Sequence, residues 1–165
     1  MKTARTNGPQ KIRHSRPRLD ITHDPYRSQQ KLPEPTRCPD CGAVFQAGGW
    51  RWSTVGGEAH VARCSPCQRI HDRFPAGYLT IAGAFASEHR GEILRIAHGH
   101  EVREREEHPL QRIMDITEED NGQVITTTDT HLARGIGESL RNALGHMLEV
   151  KYGAAESVVR VSWLR

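Results

Sequence analysis

Two Cys-x-x-Cys pairs constrain this chain more than any other feature of its sequence. Cys38 and Cys41 form one pair, Cys64 and Cys67 form the other, and 22 residues separate the two pairs. Two-residue spacing lets both thiolates of a pair reach one tetrahedral ion at about 2.3 Å. The sequence contains 4 cysteines, so such a site uses every thiol. The spacing therefore predicts one structural zinc ion held by four thiolates, with no ligand position open for metal catalysis.

The alternative interpretation of the cysteines is a pair of thioredoxin-like redox motifs. That chemistry is typical of a single Cys-x-x-Cys motif beside a βαβ pattern, whereas this chain carries two such motifs. Between the pairs, Gly48-Gly49 and Gly56-Gly57 favour the turns of a small hairpin. The sequence therefore favours a four-cysteine, zinc-ribbon-like unit over residues 38–72.

The segment before the first cysteine differs in composition from the rest of the chain. Residues 1–37 hold nine basic and three acidic side chains, a net charge of +6, whereas residues 38–165 carry a net charge of −3. Five of the 9 prolines also lie in this segment, and its apolar residues follow no helical or strand period. We expect an extended basic tail. It is either an arm that binds a polyanion or a solvated terminus without a function.

Basic and aromatic side chains in the tail and around the cysteines are candidate RNA contacts. Arginine can bind phosphate, and tryptophan can stack on unpaired bases. The alternative for the tryptophans is that they bury the hairpin of a unit that has little core of its own. The candidates are Lys11, Arg13, Arg16, Arg18, Arg37, Trp50, Arg51, Trp52, Arg63 and Arg69.

Residues 73–108 predict a helical connector with interruptions. Pro75 suits the first turn of a helix, and apolar residues from Tyr78 to Phe85 supply a short apolar face. A second helix is expected to follow, and Pro109 ends it after a run of mixed charges.

Residues 109–165 predict a ββαββ domain. Asn121-Gly122 favours a hairpin turn between two strands, and a helix follows that ends before Gly145. Two later stretches alternate apolar and polar residues, which is typical of half-buried strands. The expected fold class is therefore α+β. It comprises an extended tail, the zinc-ribbon-like unit, a helical segment, and an antiparallel sheet with one packed helix.

Enzymatic function is not the favoured interpretation. The segment Thr126–His131 brings hydroxyls, a carboxylate and an imidazole together, but a strand that ends in Thr-Thr-Asp before a helix also suits N-capping. We favour capping by this segment, with a helix that starts near Thr128 or Asp129, over a hydrolase that uses Asp129 and His131. The sequence has no P-loop and no H-E-x-x-H pattern.

The sequence also indicates where such a chain resides. No stretch approaches the roughly 20 apolar residues of a membrane-spanning helix, and no apolar secretory signal is evident near the start. Cysteine makes up only 4 of the 165 residues, far below the density of a disulfide scaffold, which is typical of a cytosolic protein that keeps its thiols reduced. We therefore expect a cytoplasmic protein without a membrane partner.

Five segments of the chain together resemble the bacterial relatives of the Nmd-three family. They are Cys38–Gly42, Cys64–Cys67, Phe74–Tyr78, His108–Asp115 and Ile125–Ile136. The archaeal and eukaryotic members of that family are zinc-containing factors of the large ribosomal subunit, and the eukaryotic one is a nuclear export adaptor. The export adaptors are longer and carry more Cys-x-x-Cys pairs. The resemblance therefore implies ribosome or rRNA association and the four cysteine ligands, but no second zinc site and no export function.

These features together predict a zinc-binding, non-enzymatic factor associated with the ribosome or with rRNA. The basic tail and the arginines near the cysteines would supply the contacts with RNA. The alternative is a zinc-stabilised regulatory adaptor that binds another protein and no nucleic acid.

Overall fold

A computed structural model describes residues 24–26, 31–153 and 158–164. The described residues are α+β, as expected, and their strands form two sheets. The strands are β1 (Thr36–Arg37), β2 (Val44–Gln46), β3 (Gly49–Arg51), β4 (His60–Val61), β5 (Gly77–Ala82), β6 (Ile113–Glu119), β7 (Gly122–Thr127), β8 (Met147–Tyr152) and β9 (Val159–Leu164). The helices are α1 (Ser65–Asp72), α2 (Ala84–Glu88), α3 (Arg90–Glu107) and α4 (Thr130–Leu144).

The small sheet has the strand order β3-β2-β1-β4, and we refer to this sheet with α1 as the cysteine unit. Strands β1 and β4 are parallel, and the other neighbours are antiparallel. Thr36 is fully buried and pairs with strands on both sides. The expected tail of residues 1–37 therefore extends too far, because its last two residues form β1.

The large sheet has the order β6-β7-β5-β9-β8, and its central strand is β5. The prediction of a helical connector is wrong at Gly77–Ala82, which pairs antiparallel with β7 and parallel with β9. Burial alternates along β5, with Leu79 and Ile81 facing the core. The expected antiparallel sheet is therefore a mixed sheet, because a strand from before residue 109 separates the two predicted strand pairs.

Helices cover one face of the large sheet. In α4, Leu132, Ile136 and Leu140 are fully buried, and the spacing of these residues produces one apolar stripe. A Cβ at Gly137 would lie 2.8 Å from a methyl carbon of Leu148, so glycine permits this close approach of helix and sheet. Helix α3 packs beside α4, which corrects the expectation of a single packed helix. Among the described residues, no helix is both long enough and apolar enough to cross a bilayer.

Asp129 caps α4, and it lies in the segment that the sequence predicts to cap this helix. Its Oδ1 accepts hydrogen bonds from the backbone N–H groups of His131 at 2.8 Å and Leu132 at 3.1 Å. The carboxylate thus satisfies two N–H groups that the first turn of a helix leaves without partners. The His131 side chain is exposed.

Replacing Asp129 with alanine should lower the free energy of unfolding by about 1 kcal/mol, because both N–H groups lose their acceptor. Asp129→Asn retains a side-chain oxygen and should keep most of the stability. Urea denaturation of the two variants and the parent protein measures the difference. An equal loss in both variants would contradict the capping explanation.

Candidate metal centre

The four cysteines meet between the small sheet and α1. Cys38 and Cys41 lie on the turn that follows β1, and Cys64 and Cys67 lie at the start of α1. Their sulfur atoms all lie within 4.8 Å of one another, and Cys41 Sγ lies 3.6 Å from Cys64 Sγ. A tetrahedral ion bound at about 2.3 Å places its sulfur ligands about 3.8 Å apart. The predicted cysteines therefore form one cluster that can hold a metal ion.

Local backbone structure turns each pair toward the common centre. After Cys38 the chain closes a tight turn, in which Gly42 N donates to Cys38 O at 3.0 Å and Gly42 has a positive φ of 78°. In the second pair, Cys64 is the N-cap of α1 and Pro66 lies in its first turn. The turn after Cys38 and the first turn of α1 each place the two sulfurs of one Cys-x-x-Cys pair on the same side of the chain.

Burial and backbone hydrogen bonds shift the thiol pKa values in different directions. Burial raises the pKa of Cys64 and of Cys67 above that of an ordinary thiol. Burial also acts on Cys38, but backbone N–H groups, led by that of Cys64, donate to its sulfur and lower its pKa to about 7. A bound divalent cation supplies the charge that deprotonates coordinating thiols outright. Burial therefore opposes ionisation of Cys64 and Cys67, and a bound cation would offset that cost.

Arg112 also belongs to this cluster, and sequence analysis missed it. The residue immediately precedes β6 and is 6% exposed. Its guanidinium donates to Cys67 Sγ at 3.2 Å and to Cys41 Sγ at 3.1 Å. Burial would lower the pKa of Arg112, but these hydrogen bonds raise it above its ordinary value. In the sequence, Arg112 lies within the resembling segment His108–Asp115, but nothing in that segment pairs it with the cysteines.

The two tryptophans near the cysteines have different surroundings. Trp50 is half-buried, packs against the cysteines and meets Phe45 edge to face at 5.7 Å. This packing supports the alternative in which Trp50 buries the hairpin. Trp52 is 39% exposed, and its Nε1 donates to the carbonyl oxygen of Arg105 at 2.7 Å. Trp52 therefore connects the cysteine unit with α3.

Arg69 is not available to RNA, which corrects its assignment as a candidate contact. The side chain is 2% exposed, and its Nη2 lies 2.5 Å from Asp24 Oδ1. Its Nη1 donates to the carbonyl oxygen of Phe74, and its guanidinium lies 4.4 Å from the centre of the Tyr26 ring. Arg69 therefore anchors the short segment 24–26 to α1.

Arg37 and Arg51 are exposed on one face of the small sheet. Arg37 pairs with Val44, and Val44 pairs with Arg51, so the three residues form one row across β1, β2 and β3. Arg63 is also partly exposed, but its Nε lies 2.5 Å from Asp40 Oδ2. The tail candidates lie outside the described residues. They are Lys11, Arg13, Arg16 and Arg18.

Comparison with protein-family models, with curated proteins and with solved structures finds no match to this chain. The resemblance to the Nmd-three family therefore stays a prediction. The geometry of the cysteine cluster and the exposed arginine pair carry the functional argument.

Proposed function

We propose that this protein is a zinc-binding, non-enzymatic factor that binds structured RNA of the ribosome. Four thiolates in tetrahedral arrangement are the donor set of structural zinc sites. Such a centre leaves no position for a water molecule or a substrate, so its role is to organise the fold. The capping role of Asp129 supports the absence of a hydrolase site at Asp129 and His131.

The observation that carries the proposal is the exposed pair Arg37 and Arg51 next to the basic tail. The two residues lie on strands separated by one neighbour, which places their Cα atoms about 10 Å apart on one face. Arg37 lies on β1, which directly follows the shortened tail in sequence, so the tail is tethered to the same unit. A tethered basic segment and a fixed arginine pair can bind neighbouring phosphates of one RNA.

The charge distribution supports binding through this end of the molecule. Residues 38–165 carry a net charge of −3, which disfavours contact with RNA over the remaining surface. Phosphate contacts by Lys and Arg release counterions, so the affinity of such a complex falls steeply as salt increases. The proposed complex is therefore sensitive to salt.

Reversing the charge of the pair, with Arg37→Glu and Arg51→Glu together, should weaken RNA binding at least about tenfold. Each lost phosphate contact should also reduce the slope of log affinity against log salt by about 1. Fluorescence anisotropy with fragments of ribosomal RNA, over a series of salt concentrations, measures both effects. The matched control is Arg95→Glu, since the Arg95 side chain is 77% exposed on α3 and far from the tail in sequence.

Sucrose-gradient sedimentation of a tagged copy of the protein from cell lysate tests whether the protein associates with ribosomes. Wild-type protein should migrate with a ribosomal particle in low salt and leave it in high salt. A copy without residues 1–23 should dissociate at a lower salt concentration. Migration at the top of the low-salt gradient would refute ribosome association. A stoichiometric complex that survives nuclease treatment would favour the protein-binding adaptor instead.

A further inference from the structure

A divalent ion held by the four cysteines would form a centre with a net negative charge. Four thiolates and one divalent cation have a net charge of about −2. Cys38, Cys64 and Cys67 are nearly fully buried, so this charge lies largely outside water. A buried charge is costly unless another charge pairs with it.

The Arg112 guanidinium is positioned to supply the opposite charge. It donates to sulfurs from both Cys-x-x-Cys pairs, those of Cys41 and Cys67, and a third sulfur, that of Cys64, lies 3.8 Å from its Nη2. Hydrogen bonds to thiolates orient metal ligands and reduce the negative charge on sulfur. One side chain therefore contacts three of the four ligands.

The large sheet holds Arg112 in place independently of the cysteines. Its Nε donates to the carbonyl oxygen of Pro109 at 2.9 Å. Its backbone N–H donates to Thr128 Oγ1 at 2.9 Å, and its carbonyl oxygen accepts from Thr128 N at 2.9 Å. Thr128 Oγ1 also donates to Leu110 O at 2.7 Å. The guanidinium is thus held by the residues just before β6 and just after β7.

A second contact crosses the same boundary beside Arg112. The Trp52 ring lies 5.8 Å from the Arg112 guanidinium and 5.5 Å from that of Arg105. The Trp52 indole N–H also donates to the backbone of Arg105 on α3. The cysteine unit therefore attaches to the rest of the molecule where Arg112 meets the sulfurs.

We infer that Arg112 is a positioning residue of the metal centre. Through its contacts with the sulfurs, Arg112 couples metal binding to docking of the cysteine unit on the large sheet. Metal binding creates the buried negative charge that Arg112 neutralises. Without the metal, the four sulfurs are no longer held around one centre, so the Arg112 guanidinium loses its fixed acceptors and the docked arrangement loses stability. The inference rests on the metal of the proposed function and not on RNA binding.

The test compares zinc loss from Arg112→Met, Arg112→Lys and Arg63→Met proteins. A zinc-binding dye reports release when excess chelator is added. Arg112→Met keeps a long side chain without charge and should release zinc about 10- to 100-fold faster than the parent. Arg112→Lys retains the positive charge but lacks the planar guanidinium, and should release zinc at an intermediate rate. Arg63→Met removes an arginine that pairs with Asp40 and should leave the rate within about twofold.

Hydrogen exchange of the wild-type protein provides a readout that does not depend on a folded variant. Chelation should increase exchange over Arg112–Glu119, whereas the distant edge strand Met147–Tyr152 should keep its protection. Unchanged exchange over Arg112–Glu119, or an Arg112→Met protein with the parental release rate, would overturn the inference. Purified protein without zinc would refute the metal assignment itself, whereas RNA binding is measured separately.

Discussion

Replacing Cys38 with serine should unfold the cysteine unit and leave the large sheet folded. Structural zinc supplies an apparent binding free energy of about 10–16 kcal/mol in small domains, and much of it is folding free energy. Outside the cysteines, the buried apolar side chains of the unit are those of Ala43, Val44 and Pro66, which form too small a core to replace the metal. The large sheet has a separate core of buried residues from β5, β7, β9 and the helices.

Limited proteolysis with and without a zinc chelator measures this effect along the chain. Cleavage of the Cys38→Ser protein should occur within residues 31–72, and a fragment that contains the large sheet should persist. Cys38 suits this experiment because Arg112 donates to other sulfurs, so the guanidinium contacts are not changed directly. Ser65→Ala changes a neighbouring residue that is not a ligand, and should keep the parental pattern. Protease resistance of the Cys38→Ser unit would contradict a metal-dependent fold.

The cysteine cluster could be predicted from sequence because its geometry is largely local. Two-residue spacing already brings two sulfurs together, so only the meeting of two pairs depends on the fold. The Asp129 cap is local in the same sense, since its acceptor and donors lie within three residues. A helix cap of this kind can be predicted from a single sequence, because its donors and acceptor are close together in the chain.

The sequence predicts a helix where β5 lies, because a short apolar run does not distinguish a helix from a strand. Tyr78, Leu79, Ile81 and Ala82 fit a helical face as well as they fit alternation. In the structure β5 pairs on both sides, and its partners begin 45 and 82 residues after it starts, at Gly122 and Val159. Tertiary pairing of this kind decides the conformation of an ambiguous segment.

The arginines show why site residues are harder to predict than metal ligands. Arg69 and Arg112 are buried and paired, whereas Arg37 and Arg51 are exposed. Arg112 meets Cys41 across 71 residues of sequence, and Arg69 meets Asp24 across 45. Residue type and proximity to the cysteines in sequence do not encode these distant partners, so sequence analysis assigns Arg37, Arg51 and Arg69 the same role and assigns none to Arg112.

Trp163→Ala should destabilise the large sheet by about 3–5 kcal/mol, because it removes the largest fully buried side chain of the described residues. Trp163 also donates from its Nε1 to the carbonyl oxygen of Gly145 at 3.1 Å and packs edge to face against His146 at 5.5 Å. A loss of this size is a large fraction of the total stability of a typical domain. Thermal and urea denaturation, followed by circular dichroism, measure the change.

Leu164→Ala is the matched control for Trp163, since Leu164 is the next residue on β9, is 51% exposed and points to the opposite face. Its effect should stay within about 0.5 kcal/mol.

At temperatures where the Trp163→Ala protein is still folded, it should bind as much zinc as the parent, because all four ligands lie in the cysteine unit. Above its unfolding transition Arg112 is no longer held by the large sheet, so zinc release should accelerate there. Equal stability of the two variants would contradict the assignment of Trp163 to the core, and constant zinc release through the transition would contradict the coupling through Arg112.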